Sequence, residues 1–575
     1  MVAGGCGACV VLLSKYDPVL DQVEDFTASS CLTLLCSING YSITTTEGLG
    51  NSKDGFHPIH QRIAGFHASQ CGFCTPGMCV SLFAALVNAE KANQSEPSPG
   101  FSKLTVSEAE KAISGNLCRC TGYRSIADAC KSFAADVDVE DLGLNSFWRK
   151  GESKEVKMSR LPFYNRNKEI CTFPEFLKKE IRSQELRSSM LLDSKGFYWY
   201  NPVRVKELQS FLESNETDDG SLIKLVAGNT GMGYYKELEH YDRYIDLRYI
   251  PELSSIRRDP KGIEIGATIT ISKAIEALKE ENKGEFQPKS EMVFKKIANH
   301  MEKIASGFIR NTASIGGNLM MAQRKNFPSD IATILVAVGS MVYIMTGPTC
   351  ERIMLKEFLE MPPLSSKTLL LNVKIPSWES IKNIPSETDT MLLFETYRAA
   401  PRPLGNALPY LNAAFLAEVS PCKTSDGIIV NNCQLAFGAY GTKHAVRARQ
   451  VEEFLAGKIL SLDVLYEATK LVKAIVVPED GTSYPAYRSS LAIGYLFDFF
   501  SPLIDNGGKI SNVLLEGYIK NVNAYKINQN HVELAHDNLP SLLSSGKQVI
   551  ELSEEYHPVG EPITKSGAAI QASGS

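Results

Sequence analysis

Two sets of cysteines near the N-terminal end of the sequence have spacings that suit metal binding. Nine of the 14 cysteines lie before residue 121. In the larger set, Cys71 and Cys74 are followed by Cys118 and Cys120. Each pair can direct two thiolates at one centre, and nearby glycines permit the close backbone approach that hydrogen bonds to cluster sulfurs require. Four thiolates in this pattern predict an iron–sulfur cluster, with a structural zinc ion and ordinary core cysteines as the alternatives.

The second set consists of Cys6, Cys9 and Cys31. A plant-type [2Fe–2S] site has the pattern C-x4-C-x2-C followed by a distant cysteine, and these three residues match its last three positions. The first ligand position falls on Met1, whose neutral thioether is a weak ligand for ferric iron. We therefore expect the cluster of this set to be absent or labile.

The remaining cysteines and the nine histidines lack ligand spacing. Cys36 and Cys79 lie beside the two sets, at positions that fit neither pattern. The other five are isolated along the chain: Cys130, Cys171, Cys350, Cys422 and Cys433. We expect all seven to pack as small apolar core residues. We interpret the histidines as structural or surface residues, and we assign no catalytic residue.

Two glycine-rich turns could bind a phosphate group. Gly228, Gly231 and Gly233 follow a β-rich run, so their backbone N–H groups could face a pyrophosphate. Their order, G-x-x-G-x-G, is neither the dinucleotide fingerprint nor a Walker loop. A second glycine turn lies at residues 314–318 and adds a hydroxyl and an amide side chain. A plain hairpin turn is the alternative explanation for the first motif.

Composition and charge exclude several classes of protein. The chain is 44% hydrophobic and 22% charged, with a net charge of −5, which is typical of a globular protein and argues against a nucleic-acid groove. The longest apolar run, from Ile331 to Met345, is too short to span a membrane and predicts buried core. No basic stretch followed by a long apolar stretch opens the sequence, so we expect a cytoplasmic protein without membrane contact.

Local periodicity predicts elements that would position these residues. Strands are indicated at Val10–Leu13 and Tyr41–Thr46, and helices at Val80–Lys91 and Tyr123–Ala134. Beyond residue 200, short β-rich runs alternate with amphipathic helices, and Thr268–Ile271 predicts one of the strands. This alternation favours an α+β multidomain fold.

The sequence resembles the molybdenum hydroxylases, the family of xanthine dehydrogenases and aldehyde oxidases. The residues of its motifs are most similar to those of the plant aldehyde oxidases. The motifs that carry the resemblance follow the family's order along nearly the whole chain. They are GGCGACVV at 4–11, QCGFCTPGM at 70–78, GNLCRCTGYR at 115–124, KLVAGNTGMG at 224–233, NTASIGGNL at 311–319, HPVGEP at 557–562 and GAAIQASG at 567–574.

The resemblance implies a division into domains. The expected order is a partial β-grasp ferredoxin domain at 1–60, a four-helix [2Fe–2S] domain at 61–135, a linker at 136–196, an α+β FAD-binding domain of the PCMH type at 197–380, a small α/β C-terminal domain like that of CO dehydrogenase flavoprotein at 390–505, and a linker with the start of a molybdopterin domain at 506–575.

The resemblance also implies roles for individual residues. Cys71, Cys74, Cys118 and Cys120 would hold the [2Fe–2S] cluster nearer molybdenum, and Cys6, Cys9 and Cys31 the cluster nearer the flavin. The residues implied in FAD binding are Leu225, Val226, Ala227, Gly228, Asn229, Thr230, Gly231, Met232, Ser314, Ile315, Gly316, Gly317, Asn318 and Asp330.

The function implied is that of the iron–sulfur and FAD electron-transfer half of an aldehyde oxidase. Full-length members convert an aldehyde, water and O2 to a carboxylate and H2O2, and use molybdopterin for the oxidation. We expect aldehyde oxidation here to need a molybdenum domain, supplied for example by another chain. Two alternatives are a flavin and iron–sulfur diaphorase that passes electrons to O2, and a non-catalytic truncated product or incomplete gene model.

Overall fold

The three-dimensional structure is a computed structural model. It describes residues 4–93, 95–138, 141–143, 145–147, 160–166, 172–183, 187–192, 198–214, 223–235, 241–280, 288–365, 367–378, 390–402, 404–405, 407–422, 427–441, 444–504 and 555–574. None of the helices in these ranges combines the length and the apolar character that crossing a membrane requires.

A three-stranded antiparallel sheet carries the three-cysteine set, Cys6, Cys9 and Cys31. Its order is β2-β1-β3, with β1 (Val10–Asp17) between β2 (Gln22–Ser29) and β3 (Ser42–Thr44). The turn between β1 and β2 is stabilised by the Asp17 carboxylate, which accepts the N–H groups of Val19 (2.8 Å) and Leu20 (3.1 Å). Both strands predicted in this region are therefore confirmed, although Thr46 already begins a short helix, α1 (Thr46–Leu49).

Four helices carry the four-cysteine set, Cys71, Cys74, Cys118 and Cys120. They are α2 (Pro58–Gly65), α3 (Thr75–Lys91), α4 (Val106–Ile113) and α5 (Arg124–Lys131). α4 begins in a capping box, in which the Thr105 hydroxyl accepts the N–H of Glu108 (3.3 Å) and the Glu108 carboxylate accepts the N–H of Thr105 (2.9 Å). α3 and α5 confirm the predicted helices.

The central part of the chain forms two sheets covered by helices. The smaller sheet has the order β4-β5-β7-β6, with β5 and β6 parallel to β7, and the larger sheet is antiparallel with the order β11-β10-β12-β9-β8. The elements are α6 (Glu175–Ser183), β4 (Ser189–Leu192), β5 (Tyr198–Asn201), α7 (Val205–Ser214), β6 (Ile223–Val226), α8 (Met232–Tyr235), β7 (Arg243–Asp246), β8 (Ile256–Asp259), β9 (Gly262–Gly266), α9 (Ile271–Lys279), α10 (Pro288–Met301), α11 (Gly307–Arg310), α12 (Ile315–Lys325), α13 (Asp330–Ala337), β10 (Met341–Thr346), β11 (Thr349–Met354), α14 (Leu355–Glu360) and β12 (Thr368–Pro376).

One predicted element in this part is wrong. Thr268–Ile271 was expected as a strand, but Thr270 is the N-cap of α9 and Ile271 is already helical. The hydroxyl of Thr270 accepts the N–H of Lys273 (3.3 Å), an interaction that favours the start of a helix over a further strand residue. The apolar run from Ile331 to Met345 forms α13 and β10 and is buried as expected.

The third sheet has the order β13-β14-β15-β16 and is antiparallel. Its elements and the helices around it are β13 (Met391–Ala399), β14 (Leu411–Pro421), β15 (Ile428–Gly438), β16 (Val446–Arg447), α15 (Arg449–Leu455), α16 (Leu462–Ile475) and α17 (Pro485–Phe500). Phe415, Phe437 and Phe499 form the aromatic centre of its core. A last helix, α18 (Ala568–Ser573), packs on α2 and α3. This architecture confirms the predicted α+β multidomain fold.

The cysteines outside the two sets differ in how deeply they are buried. Cys79, Cys130 and Cys433 are buried, as expected. The expectation is wrong for Cys36, which is exposed in a short 3₁₀ turn, and for Cys350, which is exposed on the edge strand β11. Cys422 is half-buried, and Cys171 lies outside the described residues.

Candidate iron–sulfur and flavin sites

The four-cysteine set comes together between two loops of the helical unit. Cys74 is the N-cap of α3, and Cys71 lies three residues before it. Cys118 and Cys120 lie in the loop between α4 and α5. The thiols make two hydrogen-bonded pairs, Cys71 with Cys120 and Cys74 with Cys118. The structure therefore brings together all four residues that the spacing predicted.

The surroundings of the four thiols lower the pKa of Cys71 and Cys118 and raise the pKa of Cys74 and Cys120, the last mainly through its hydrogen bond with the Cys71 thiol. The pKa of Cys71 is lowered by the backbone N–H of Phe73 and by the Cys120 thiol. Burial raises the pKa of Cys118, but the Thr121 hydroxyl (3.2 Å) and N–H (3.5 Å) outweigh it, so the net pKa is lowered. Burial raises the pKa of Cys74 to about 12, and a bound cation would reverse that effect by stabilising the thiolate.

The paired arrangement of the thiols is compatible with a two-iron cluster. Within the described parts of the chain, no group of three or more His, Cys, Asp or Glu side chains is already positioned to hold a metal ion. Two thiol pairs, with backbone N–H groups directed at the sulfurs, suit a [2Fe–2S] cluster, in which four thiolates are shared between two irons.

Two members of the three-cysteine set contact the hydroxyl of Ser29. This hydroxyl lies 3.3 Å from the sulfur of Cys9 and 3.4 Å from the sulfur of Cys31. Cys6 is exposed on the same loop as Cys9. The structure therefore brings Cys9 and Cys31 together and places Cys6 beside them, whereas Met1 lies outside the described residues.

The loops that carry the two cysteine sets are in direct contact. The carbonyl oxygen of Cys6 accepts the N–H of Leu117, the residue before Cys118, at 2.8 Å. The Asn116 side chain donates to the carbonyl oxygen of Gly7 at 3.0 Å. Gly7 has a φ of +71°, which is why a residue without a side chain suits this close approach. The two sets are thus joined through one main-chain hydrogen bond.

The two glycine-rich motifs lie side by side at the end of β6 and the start of α12. Leu225 and Val226 end β6, and the turn that follows leads into α8 at Met232. In the second motif Ser314 caps α12, and its hydroxyl accepts the N–H of Gly317 at 3.0 Å. A Cβ atom at Gly228 would overlap the carbonyl oxygen of Thr312, so the two loops meet where the first has no side chain.

These loops line a cavity of about 530 Å³. Twelve of the fourteen residues implied in FAD binding line it, whereas Ile315 and Gly316 face the core and donate their N–H groups to the carbonyls of Ile269 and Ala267. Asn229 presents a buried side-chain oxygen that has no hydrogen-bond partner. An orphaned acceptor and a glycine cradle in a cavity of this size fit a nucleotide cofactor.

Asp330 anchors one wall of the cavity. It is the first residue of α13, and its carboxylate contacts the buried His300 ring (3.2 Å), the Asn412 amide (3.1 Å) and the Arg398 guanidinium (3.4 Å). Burial alone would raise the pKa of Asp330, but the hydrogen bond with His300 and the charge of Arg398 outweigh it, so the pKa is lowered. The carboxylate therefore carries its negative charge inside the protein.

The cavity also has lining residues that the sequence analysis missed. Leu32 comes from the unit that carries the three-cysteine set, and Arg398 and Leu408 come from the third sheet and the loop after its first strand. The Asn229 side chain donates to the carbonyl oxygen of Leu32 at 3.0 Å, and Leu32 directly follows Cys31. The cavity is therefore connected to the three-cysteine set, as that set is connected to the four-cysteine set.

Three sequence families match this chain. Residues 45–131 match the [2Fe–2S] binding domain, residues 194–378 the FAD binding domain in molybdopterin dehydrogenase, and residues 395–503 the CO dehydrogenase flavoprotein C-terminal domain. An indole-3-acetaldehyde oxidase from Arabidopsis thaliana is 58% identical over 99% of this chain, and the abscisic-aldehyde oxidase of the same plant is 56% identical over 99% of it.

The chain belongs to the xanthine dehydrogenase and aldehyde oxidase family of molybdenum hydroxylases. It spans 40% of the length of both Arabidopsis relatives, and 66% of a probable aldehyde oxidase 4 from rice, which is 50% identical. Among solved structures, quinoline 2-oxidoreductase from Pseudomonas putida aligns with 53% of this chain and 96% of that chain, at 19% identity and a TM-score of 0.41.

Membership of the molybdenum hydroxylases relates the two sites to known domain types. The [2Fe–2S] binding domain contains all four cysteines of the larger set, and the FAD binding domain contains both glycine-rich loops and Asp330. The chain therefore includes the iron–sulfur and FAD domains that form the electron-transfer half of a molybdenum hydroxylase.

Proposed function

We propose that this chain transfers electrons from an aldehyde, oxidised at a molybdenum domain, to O2. The observation that carries the proposal is a series of contacts from Cys118 to the cavity. It passes from Leu117 to Cys6 by a main-chain hydrogen bond and follows the loop to Cys9. It then crosses the Ser29 hydroxyl to Cys31 and reaches the cavity through the hydrogen bond between Leu32 and Asn229. Electron transfer needs short separations between redox centres, and these contacts provide them. The names of the aldehyde oxidase relatives support an aldehyde as the electron source.

The cysteine sets have distinct roles in this proposal. The larger set binds one [2Fe–2S] cluster, and Cys6, Cys9 and Cys31 contribute three ligands to a second. When bound, the clusters would supply one-electron chemistry and FAD two-electron chemistry. The chain itself holds the thiolates in place: Thr121 donates to Cys118, Phe73 donates to Cys71, and Ser29 bridges Cys9 and Cys31.

The cavity residues bind FAD in this proposal. The backbone N–H groups of the Gly228 turn would face the pyrophosphate. Those of residues 315–317 at the start of α12 are already bonded within the protein, so this helix would contribute only its dipole, which favours negative charge. The orphaned oxygen of Asn229 accepts a hydrogen bond from the cofactor, and Asp330 orders the cavity wall through Arg398 and Asn412. The other cavity-lining residues that the family resemblance implies would also contact FAD.

Aldehyde oxidation itself is assigned to a molybdopterin-binding domain, either on a longer form of this protein or on a separate chain. The overall reaction converts an aldehyde, water and O2 to a carboxylic acid and H2O2. A cytoplasmic location belongs to the same proposal.

The second candidate function is a diaphorase that passes electrons from NADH to O2, and it is favoured by the location of the flavin cavity and both cysteine sets on one chain.

The test starts from protein that has been isolated and reconstituted without oxygen. We expect FAD to be extracted, and iron to be bound at about two atoms per chain if only the larger set is filled. Four atoms would contradict the prediction that the cluster at Cys6, Cys9 and Cys31 is absent or labile. Reduction of a dye by an aldehyde only after addition of a molybdenum-domain protein supports the main proposal, and reduction by NADH alone supports the diaphorase.

The matched variants are Cys120→Ser and Cys36→Ser. Cys120→Ser removes one of the four proposed ligands, so the iron of the larger set should be lost while FAD remains bound. Cys36 is exposed and lies outside both sets, so Cys36→Ser should change neither content. Zinc in place of iron, together with the absence of extractable flavin, would refute the proposed function.

A further inference from the structure

A segment near the end of the chain lies across the loop that carries Cys71 and Cys74. This segment, residues 565–574, contains α18 and is here called the clamp segment. At one end, the Lys565 ammonium group contacts the carbonyl oxygen of Gln70. At the other end, the carbonyl oxygen of Ala572 accepts the Thr46 hydroxyl at 2.8 Å. The clamp segment is therefore fixed on both sides of the four-cysteine site.

Gln571 makes the central contacts of the clamp segment. Its side-chain oxygen accepts hydrogen bonds from the Ser69 hydroxyl (3.0 Å) and the Lys565 ammonium (2.8 Å). Ser69 in turn accepts a hydrogen bond from the Thr75 hydroxyl at 3.0 Å. Ser69 and Thr75 are both buried, and they stand on either side of the two cysteines. Gln571 is thus linked to both ends of the ligand loop.

The ligand loop is shaped to receive this side chain. Gly72 has a φ of +82°, and a Cβ atom there would come within 2.7–3.0 Å of three side-chain atoms of Gln571. The amide nitrogen of Gln571 lies 3.5 Å from the carbonyl oxygen of Cys71. Cys71 and Phe73 remain exposed on either side of Gly72, and Gln571 covers the backbone between them, so it limits access of water at this one point of the ligand loop.

We propose that Gln571 is a positioning residue for the four-cysteine site. By tying the ligand loop at both ends and covering Gly72, it keeps Cys71 in place and limits access of water, and so it controls iron retention and reduction potential. Residues that orient metal ligands typically change metal affinity 10–100-fold when they are mutated. The proposal rests on the proposed function, in which this site binds a [2Fe–2S] cluster.

The experiment compares Gln571→Ala with Ile570→Ala in the reconstituted full chain. Ile570 is exposed on the same helix, so Ile570→Ala is the matched control. We expect Gln571→Ala to transfer iron to a chelator about tenfold faster than the wild type. The midpoint potential of this cluster should rise, because added water stabilises its more negative reduced form. The control should retain the wild-type rate and potential.

Two further variants separate hydrogen bonding from packing. Gln571→Glu keeps an oxygen for Ser69 and Lys565 and should retain iron nearly as well as the wild type. Gln571→Met covers Gly72 without accepting hydrogen bonds and should lose iron as Gln571→Ala does; it also carries the test if the alanine variant does not fold. A wild-type rate and potential in Gln571→Ala or Gln571→Met overturns the inference. Absence of iron from the wild type would instead contradict the proposed function.

Discussion

At the scale of single residues, both sites depend on partners that are distant in sequence. The spacing of Cys71, Cys74, Cys118 and Cys120 was enough to predict that these four thiols meet, because each pair is local and one helical unit holds both. Leu32, Arg398 and Gln571 could not be predicted in the same way. Their positions follow from packing between units that lie hundreds of residues apart, and no local spacing records that packing.

The flavin loop provides a prediction about one glycine. In Gly228→Ala the new Cβ atom would overlap the carbonyl oxygen of Thr312, so the two loops must separate. We expect flavin affinity to fall at least ~tenfold, which corresponds to about 1.4 kcal/mol. Flavin released on denaturation and fluorescence titration of the apoprotein measure this change.

The matched control is Gly494→Ala in α17. A Cβ atom at Gly494 meets nothing within 4 Å, and alanine favours a helix interior by about 1 kcal/mol. This variant should keep its flavin and gain slightly in stability. Equal flavin content in both variants would show that contact between the loops is unimportant for the cofactor.

At the scale of elements, a helix cap determines the secondary structure at the place where the residue pattern predicted a strand wrongly. In Thr268–Ile271, polar and apolar β-branched residues alternate, which is the pattern of a strand. The Thr270 hydroxyl nevertheless caps α9, and the chain turns into the helix. In the four-helix unit, by contrast, the helical periodicity and the burial pattern agree, and the predicted helices are present. Sequence pattern therefore predicted the long elements better than the junctions between them.

Helix α2 contains a histidine that should make this unit sensitive to acid. His60 is fully buried beside the Thr46 hydroxyl (3.2 Å), and burial, with a smaller effect of His57, lowers its pKa to about 4. The unfolded chain takes up a proton near pH 6.5, which the folded chain does not. Stability is therefore complete above about pH 6.5 and falls as the pH drops toward 4, by about 2 kcal/mol at pH 5.

The corresponding variant is His60→Gln, which can still reach Thr46 but does not titrate. Between pH 7 and pH 5 its thermal midpoint, followed by the visible absorbance of the cluster, should fall less than that of the wild type. His557→Gln alters an exposed ring and serves as the control. Identical pH dependence in all three proteins would contradict the assignment of acid sensitivity to His60.

At the scale of the whole molecule, the central and third units are joined through Asn412. This buried side chain on β14 donates to Asp330 at 3.1 Å and accepts the Thr333 hydroxyl at 2.8 Å, so it connects the third sheet to α13. We expect Asn412→Leu to lower stability by about 2 kcal/mol, because it leaves a buried carboxylate and a hydroxyl each without one partner. Thermal unfolding at pH 7, detected by release of flavin fluorescence, measures the effect.

Asn432→Leu is the control because Asn432 is exposed on β15 of the same sheet. The pH dependence adds a second check. The lowered pKa of Asp330 stabilises the folded protein above the unfolded pKa of Asp, and this contribution is lost as the pH falls through the folded pKa. Loss of the Asn412 donor should raise that folded pKa, so the variant should lose stability at a higher pH than the control does.

The hydrogen bond from the Leu117 N–H to the Cys6 carbonyl determines which substitutions position 117 can accept. Both of its atoms belong to the main chain, and every residue type except proline can supply the N–H group. The side chain at position 117 can therefore be exchanged without lengthening the junction between the two thiolate loops. Under the proposed function, electron transfer across this junction depends on the course of the backbone, and so it can persist while the surrounding side chains diverge.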